Sequence, residues 1–224
     1  MGYHFFMKPE EIHQAIKILR EESRLWQTPA VTIVAESSRS PYKVLVSCII
    51  SLRTRDEVTL KASAKLFARA DTPETMQKIS VEEIAALIYP ASFFRNKAAQ
   101  IQELSSRLVS DFGGVVPDEI DTLMTFRGVG RKTANLVVTL GYGKPGICVD
   151  THVHRICNRW GYVSTKTPDE TEVALREKLP SEYWIEINDL LVAFGQNHCL
   201  PVSPKCSSCR LADLCPRIGV QKFR

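Results

Sequence analysis

Two residues of complementary chemistry, Lys132 and Asp150, lie eighteen positions apart within the segment 126–155. A lysine amine becomes a nucleophile when it loses its proton, which desolvation and nearby cations favour. A carboxylate within reach could accept that proton or stabilise a developing positive charge, although its own charge pulls a lysine pKa upward. One helix and a return loop would be enough to bring the two side chains together. The alternative for Asp150 is an ordinary helix N-cap, because Asp150-Thr151 precedes an apolar-patterned helix.

The segment Gly128-Val129-Gly130-Arg131-Lys132-Thr133 predicts a tight turn that opens a helix. Its two glycines allow backbone angles or close approaches that a side chain would obstruct. A helix N-terminus carries partial positive charge and prefers acidic residues, yet Arg131 and Lys132 stand here. A phosphate held by the backbone N–H groups would explain this mismatch, as in a helix-hairpin-helix that grips a nucleic-acid backbone without reading its sequence. The alternative is a solvated helix start.

The C-terminal tail contains four of the seven cysteines with the spacing C-x6-C-x2-C-x5-C, at Cys199, Cys206, Cys209 and Cys215. Disulfides are not expected without a secretory signal. Structural zinc usually takes paired C-x-x-C units or Cys/His pairs, and only one C-x-x-C occurs here. Four thiolates wrapped unevenly in a tight loop suit a [4Fe–4S] cluster, so we expect this cluster, with zinc as the alternative. The other cysteines, Cys48, Cys148 and Cys157, lie in apolar surroundings and are predicted to be buried small hydrophobic residues rather than nucleophiles.

Length and composition set broad limits. A chain of 224 residues can form one large or two small domains. Its net charge of +4 permits a polyanionic partner without requiring one. No apolar run approaches membrane-spanning length and no start resembles a signal peptide. We therefore expect a cytoplasmic protein, nucleoid-associated in a prokaryote, with no membrane partner.

Helical periodicity dominates the chain, whereas strand signals are nearly absent and the best of them, Gly146–Val149, is short. The pattern predicts an all-α protein. It places Ile12, Ile16 and Leu19 on one face of the first helix, and it predicts that the helix from 40 buries Leu45, Val46, Ile49 and Ile50. The expected helices cover residues 8–27, from 40, 56–67, from 80, from beyond Pro90 to Gly113, a short stretch after Pro117, 134–140, 150–160, from 167, and 181–196. Asp56 is expected to cap its helix, and Ser80 and Thr167 are expected to open capping boxes.

The GVGRKTAN turn, the VDTHVHR segment and the cysteine tail, in this order and spacing, closely resemble the endonuclease III family of bifunctional DNA glycosylases in the helix-hairpin-helix superfamily. The resemblance extends from about Ser40 to Cys215. It implies two helical domains with the active site in the cleft between them. One is a six-helix barrel at 34–144, and the other is a discontinuous domain, 1–33 plus 145–224, that holds the cluster. It also implies that the partner is double-stranded DNA with damaged bases or abasic sites, and we expect a monomer.

The resemblance implies a concrete reaction, in which Lys132 matches the catalytic lysine and Asp150 the catalytic aspartate. An oxidised pyrimidine would be flipped out of the duplex. The lysine amine would then attack C1′, the base would leave, and the resulting Schiff base would promote β-elimination that cuts the strand 3′ to the lesion. The implied role of the cluster is structural and DNA-positioning.

The chain also departs from the family pattern. The segment 51–56 resembles the loop that fills the space left by the flipped base, and Arg53 stands where a glutamine is usual. Arginine stacks on bases and donates hydrogen bonds, so it could still fill the gap with an altered preference for the opposite base. Phe93 stands where the family has a leucine wedge, and the alternative for Phe93 is a core position. Phe126-Arg127 replaces Leu-Pro, which gains an arginine that could reach phosphate.

Two further residues are candidate DNA contacts. His152 belongs to the family pattern, and Lys205 flanks the cysteines. The alternatives are a structural histidine and a solvated lysine.

Two rival functions remain open. One is a monofunctional glycosylase for mismatched adenine or thymine, but such relatives generally lack a lysine at the position of Lys132. The other is a non-catalytic Fe–S protein that uses the hairpin only to bind DNA.

Overall fold

A computed structural model describes residues 6–26 and 28–224, and the regular structure in these ranges is entirely helical. The α-helices are α1 Glu11–Ser23, α2 Ala30–Ser38, α3 Pro41–Ser51, α4 Asp56–Arg69, α5 Pro73–Met76, α6 Val81–Ile88, α7 Phe94–Phe112, α8 Ile120–Met124, α9 Arg131–Leu136, α10 Thr151–Arg159, α11 Pro168–Lys178 and α12 Ile187–Asn197. A π-helical turn, Val137–Gly141, continues α9. Residues 146–149, the best strand signal, form an irregular connection. The predicted all-α class is confirmed.

The described chain divides into two compact units. The continuous unit is Pro29–Lys144, and the discontinuous unit joins the described residues up to Thr28 with Pro145–Arg224. The predicted barrel, 34–144, lies inside the continuous unit.

Helix α3 forms the centre of the continuous unit. Leu45, Val46, Ile49 and Ile50, which the sequence predicts to be buried, have no exposed surface. A helix that is apolar on nearly every side must be surrounded by other elements, and α3 packs against α2, α4, α7 and α9. Its start is well defined, because the Ser40 hydroxyl accepts the Lys43 N–H in a cap.

The discontinuous unit has its own core between α1, α10 and α12. Ile12, Ile16 and Leu19 form the buried face of α1, as the sequence predicts. Helix α10 adds Ile156, and Trp160 follows directly after its last turn, so residues far apart in the chain share one core. This packing fixes the orientation of α10, the helix that Asp150 precedes.

Several helix ends differ from the predictions. Arg55, not Asp56, is the residue before α4, because Asp56 already has helical geometry as the first residue of that helix. At α11 the Thr167 hydroxyl caps the Glu170 N–H as expected, but the Glu170 carboxylate accepts the Lys166 N–H instead of the Thr167 N–H. The Ser80 hydroxyl accepts the Glu83 N–H. The hydroxyl caps of Ser80 and Thr167 therefore agree with the sequence prediction. The reciprocal bond that a capping box needs, from the Thr167 N–H to the Glu170 carboxylate, is replaced by the bond from Lys166.

Two helical segments also differ in extent. Helix α1 ends at Ser23 rather than near position 27, and the predicted helix at 181–196 is a 3-10 turn, Ser181–Tyr183, followed by α12. Helix α2 was not predicted, because Pro29 suggests a helix end, whereas in the structure it is the N-cap of α2. Proline is compatible with a helix start because no N–H is required there.

Candidate active site and DNA interface

A helical hairpin carries the first candidate residues. Helices α8 and α9 pack against each other and are joined by residues 125–130. Gly128 has a φ of +74°, and a Cβ there would lie 2.1 Å from the Gln100 side-chain nitrogen. Gly130, the N-cap of α9, has an ordinary φ of −91°, but a Cβ at Gly130 would meet nothing within 4 Å. Gly128 is therefore required by the turn, whereas Gly130 leaves open space in front of the helix.

Helix α7 fixes the hairpin. Gln100 donates to the Arg127 carbonyl at 2.6 Å. Arg107 donates to the Thr125 carbonyl at 2.8 Å and to its hydroxyl at 3.0 Å. The Arg107 guanidinium also lies 4.6 Å from the centroid of the buried Phe126 ring. Helix α7 therefore holds the hairpin largely through the backbone carbonyls of residues 125 and 127, and the outer side chains of the hairpin remain exposed.

Lys132 is exposed on the first turn of α9, and Arg131 beside it is half-buried. The side chains of Val129 and Thr133 are buried, and the Val129 N–H already donates to the Phe126 carbonyl at 3.1 Å. The Cys48 thiol of α3 lies within electrostatic reach of Lys132. Burial raises the pKa of this thiol to about 12, against a smaller lowering by the Lys132 charge. Lys132 is therefore an exposed residue whose charge acts on a buried thiol of the same unit.

Asp150 is the N-cap of α10. Its Oδ1 accepts the His152 N–H at 2.7 Å and the Val153 N–H at 2.9 Å. The N-cap interpretation is therefore confirmed. The cap also holds a half-buried carboxylate in one orientation, so it is compatible with a chemical role for the same side chain.

The two histidines after Asp150 have different surroundings. The Nδ1 atom of His154 bonds the Thr171 hydroxyl at 2.7 Å, which is a structural contact. The Nδ1 atom of His152 lies 3.0 Å from an Arg155 guanidinium nitrogen. A Cβ at Gly195 of α12 would lie 2.3 Å from that Nδ1, so glycine permits the close packing there. His152 is thus fixed between α10 and α12 and is half-buried.

The structure brings Arg53 and Phe93 together. The Arg53 guanidinium lies 5.4 Å from the centroid of the Phe93 ring. Phe93 is 58% exposed, so the alternative of a core position for it is wrong. Both residues have left-handed backbone angles, with φ of +55° and +57°. Non-glycine residues rarely adopt this conformation, and such residues concentrate at functional sites.

The cysteine tail is held by α10. Arg159 is buried and donates to the Leu200 carbonyl at 2.7 Å and the Pro201 carbonyl at 2.8 Å, and its other contact is the Cys199 sulfur at 3.3 Å. The Cys215 thiol donates to the Arg159 carbonyl at 3.7 Å. One arginine therefore connects both ends of the cysteine loop.

The four tail thiols fit a group that carries several positive charges. Burial raises the pKa of Cys209 to about 11 and that of Cys215 to about 12, and the neighbouring tail thiols add to both shifts. All seven cysteines are free. Within residues 6–26 and 28–224, no three His, Cys, Asp or Glu side chains converge as ligands of a single metal ion. A four-iron cluster takes one thiolate per iron and so spreads its ligands over a larger volume than one zinc ion does.

The two basic residues that flank the tail cysteines, Lys205 and Arg210, have different surroundings. Lys205 is half-buried, and its backbone N–H donates to the His198 carbonyl at 3.1 Å. Arg210, which also flanks the cysteines, pairs with Glu21 at 2.7 Å and Glu22 at 3.2 Å. Arg210 therefore ties the tail to α1.

The remaining cysteines confirm the burial prediction, since Cys48, Cys148 and Cys157 are all buried. Burial raises the pKa of Cys157 to about 12, as it does for Cys48. A thiol in this state is a poor nucleophile at neutral pH.

Sequence reasoning missed Lys97 of α7. This lysine is only 5% exposed, and burial lowers its pKa to about 8. A signal was available, because Lys97 stands in the apolar stripe of α7 with Ile101, Leu104 and Leu108. A lysine at a core position of an amphipathic helix must find acceptors for its buried ammonium.

Substitutions of Asp150 should distinguish the stability that its helix cap contributes from the effect of its negative charge. Asp150→Asn keeps an oxygen that caps α10, and we expect its free energy of unfolding to change by less than about 0.5 kcal/mol. Asp150→Ala loses the cap and should cost about 1 kcal/mol. Urea denaturation followed by circular dichroism measures both values. Equal stability of the two variants would show that the cap contributes nothing.

None of the helices in the described ranges has the length and apolarity needed to cross a membrane. Residues 46–181 match the HhH-GPD superfamily of base excision DNA repair proteins. The chain is 48% identical over 175 residues to endonuclease III of Thermotoga maritima, covering 78% of this chain and 82% of the relative. It is 38% identical over 220 residues to endonuclease III-like protein 1 of Gallus gallus, covering 93% of this chain and 78% of the relative.

A solved structure of a trapped endonuclease III–DNA covalent intermediate has a similar fold. The TM-score is 0.82 at 32% identity, with 94% of this chain and 96% of that chain covered. The superfamily match spans the hairpin, and both relatives and this solved structure carry the endonuclease III name. The chain therefore belongs to the HhH-GPD superfamily and, within it, to the endonuclease III family.

Proposed function

We propose that this protein is a bifunctional DNA glycosylase and abasic-site lyase that acts on double-stranded DNA in base excision repair. The observation that carries the proposal is the exposed position of Lys132 on the first turn of α9, in a chain that belongs to the endonuclease III family. An amine that must reach a deoxyribose carbon has to be accessible, and Lys132 is. The preferred substrates are oxidised pyrimidines, as the family resemblance implies.

Lys132 supplies the nucleophile. Its unprotonated amine forms a bond to C1′ of the damaged nucleotide, and the base departs with the electrons of the glycosidic bond. The sugar ring opens to give an imine between Lys132 and C1′. The imine acidifies the C2′ proton, and loss of that proton expels the 3′ phosphate and cuts the strand.

Asp150 supplies the carboxylate. It receives the proton that Lys132 must lose, or stabilises positive charge on the sugar as the base leaves. The cap to His152 and Val153 supports this role, because a carboxylate fixed by two N–H donors does not have to be reoriented during the reaction.

The hairpin grips the DNA backbone. A phosphate sits at the N-terminus of α9, where Gly130 leaves room for its approach, and is bound by backbone N–H groups and Arg131. Contacts of this kind set the register of the protein on DNA without reading the sequence. Gly128 and Thr133 contribute through the backbone, whereas Val129 supports the turn, because its N–H donates to the Phe126 carbonyl at 3.1 Å.

Cys199, Cys206, Cys209 and Cys215 hold a [4Fe–4S] cluster. Members of the endonuclease III family generally carry such a cluster. When bound, it supplies positive charge that stabilises four thiolates and cross-links the tail, with no part in the chemistry at the sugar. Arg159 supports this arrangement by fixing the loop after Cys199 to α10. Lys205, directly before Cys206, and His152, two residues after Asp150, are additional DNA contacts.

The two units correspond to the two domains of the family. The continuous unit, Pro29–Lys144, is the barrel domain with the hairpin. The discontinuous unit is the cluster domain. The protein functions as a monomer.

Borohydride trapping tests the nucleophile. The wild-type protein should form a covalent adduct with abasic DNA when borohydride reduces the imine, and Lys132→Ala should form none. Lys132→Gln should lose cutting but keep most of its affinity for lesion DNA, because phosphate contacts supply most of the binding free energy. Gel electrophoresis of the adduct and a filter-binding assay measure the two effects.

Asp150→Asn provides a matched control, since it keeps the cap. We expect slower adduct formation at unchanged stability. A monofunctional glycosylase or a non-catalytic binding protein would give no adduct with the wild type, and an adduct that survives in Lys132→Ala would point to a different amine.

Replacing one tail cysteine tests the cluster. Cys206→Ser should yield a colourless, poorly soluble protein, because the remaining three thiols cannot complete the ligand set. Cys148→Ser, which alters a cysteine outside the tail, should keep the brown absorbance. The cluster assignment would be overturned by a Cys206→Ser protein with full brown colour and iron content.

A further inference from the structure

The buried ammonium of Lys97 has a complete set of acceptors. It donates to the Ile50 carbonyl at 2.7 Å, the Leu52 carbonyl at 2.6 Å and the Thr54 hydroxyl at 2.9 Å. An ammonium group has three donors, so these three oxygens satisfy all of them. A buried charge is tolerated only when it is paired or fully hydrogen-bonded. The hydrogen bonds therefore fix both the lysine and the backbone that it contacts.

The acceptors lie at the end of α3. This helix ends at Ser51, and the last carbonyls of a helix need partners outside it. A cation is favourable at this end, which carries partial negative charge. Lys97 of α7 thus caps α3 from another helix and sets the path of the chain immediately before and after Arg53.

Thr54 extends this set of bonds to a second loop. Its hydroxyl oxygen also accepts the Ser92 N–H at 3.1 Å. The bond joins the loop that carries Arg53 to the residue directly before Phe93. Lys97 itself follows Phe93 by one helical turn, and its backbone N–H donates to the Phe93 carbonyl at 3.1 Å.

Arg53 and Phe93 therefore lie on either side of the hydrogen bonds made by the Thr54 hydroxyl and the Lys97 ammonium. Both have left-handed backbone angles that are unfavourable for residues with a side chain. Such angles persist when the surrounding structure fixes them, and the hydrogen bonds of Thr54 and Lys97 are the contacts that do so on each side. The two side chains project outward and contact each other at 5.4 Å.

We propose that Thr54 and Lys97 are positioning residues that lock Arg53 and Phe93 into one rigid pair, and that this pair, rather than either residue alone, determines the preference for the base opposite the lesion. The inference rests on the proposed function, because it requires an enzyme that binds lesion DNA, and on the resemblance that puts Arg53 in the gap-filling loop and Phe93 at the wedge position. The guanidinium supplies donors for the edge of the opposite base, and the ring stacks in the duplex beside it. Fixed spacing between them makes recognition depend on which base is present.

The test uses Thr54→Val, which removes the hydroxyl at nearly constant volume, and Thr54→Ser, which keeps it. Binding is measured with duplexes that carry a tetrahydrofuran abasic analogue opposite each of the four bases. Thr54→Val should weaken binding to the preferred duplex about three- to tenfold, because it loses the hydroxyl that accepts hydrogen bonds from Lys97 and Ser92, and should make the four affinities similar. Thr54→Ser should behave as wild type. Ser38→Ala, which removes a hydroxyl bond to the Val34 carbonyl in the same unit, should leave all four affinities unchanged.

Two further measurements separate positioning from general damage. Thr54→Val should add nothing to the loss of discrimination already caused by Arg53→Ala, since it acts through Arg53. Borohydride trapping on single-stranded abasic DNA, which has no opposite base, should stay within about twofold of wild type for Thr54→Val. Lys97→Met should reproduce the loss of discrimination if it folds, and the Thr54 variants decide the question if it does not.

The outcomes distinguish the two proposals. A wild-type protein that forms no adduct on abasic DNA would overturn the proposed function. A wild type that is trapped normally, together with a Thr54→Val variant that keeps its full opposite-base preference, would overturn the positioning role alone. Equal loss of single-stranded trapping and duplex binding in Thr54→Val would also overturn it, because that result indicates general destabilisation.

Discussion

Helix ends impose the central constraint on this molecule. Each helix leaves its first N–H groups and its last C=O groups without partners inside the helix, and these groups must be satisfied from elsewhere. The candidate site residues lie where this happens. Asp150 satisfies the start of α10, Lys97 satisfies the end of α3, and Gly130 directly precedes α9. In a helical protein the backbone is polar and accessible mainly at such ends, so side chains placed there combine their own chemistry with that of the backbone.

The starts of α9 and α10 solve this requirement in opposite ways. Helix α10 is capped by the carboxylate of Asp150, which is the usual solution. Helix α9 has no side-chain cap, has no acidic residue in its first turn, and begins with Arg131 and Lys132. The second arrangement concentrates positive charge and N–H donors at one surface point. It suits an external anion, and the proposed DNA phosphate would complete it.

The cysteines show how surroundings decide the role of one residue type. Cys48 and Cys157 are packed in the cores of the two units and behave as small apolar side chains. The tail cysteines are only partly buried. Cys199, Cys209 and Cys215 pack against the core of the discontinuous unit, in a loop that contributes few apolar residues of its own. A loop of this kind needs a cross-link to hold its shape, which is the structural role proposed for the cluster.

The sequence by itself determined the helical class, the buried faces of α1 and α3, the glycine turn before α9 and the cap at Asp150. These features depend on local periodicity and on hydrogen bonds between residues close in the chain, which a sequence displays directly. The sequence did not determine that the Glu170 carboxylate accepts the Lys166 N–H, or that Pro29 precedes a helix instead of ending one. Both features depend on which backbone groups lack a partner in the folded chain.

Only the tertiary structure decided that Phe93 is exposed and lies against Arg53, and that Lys97 and Thr54 connect their loops. Residues 53 and 93 are forty positions apart, and α4, α5 and α6 lie between them. Their contact follows from the packing of α7 against α3, a long-range arrangement of the continuous unit. A lysine within an apolar helix stripe shows only that its ammonium needs partners, whereas the folded chain determines which oxygens meet it.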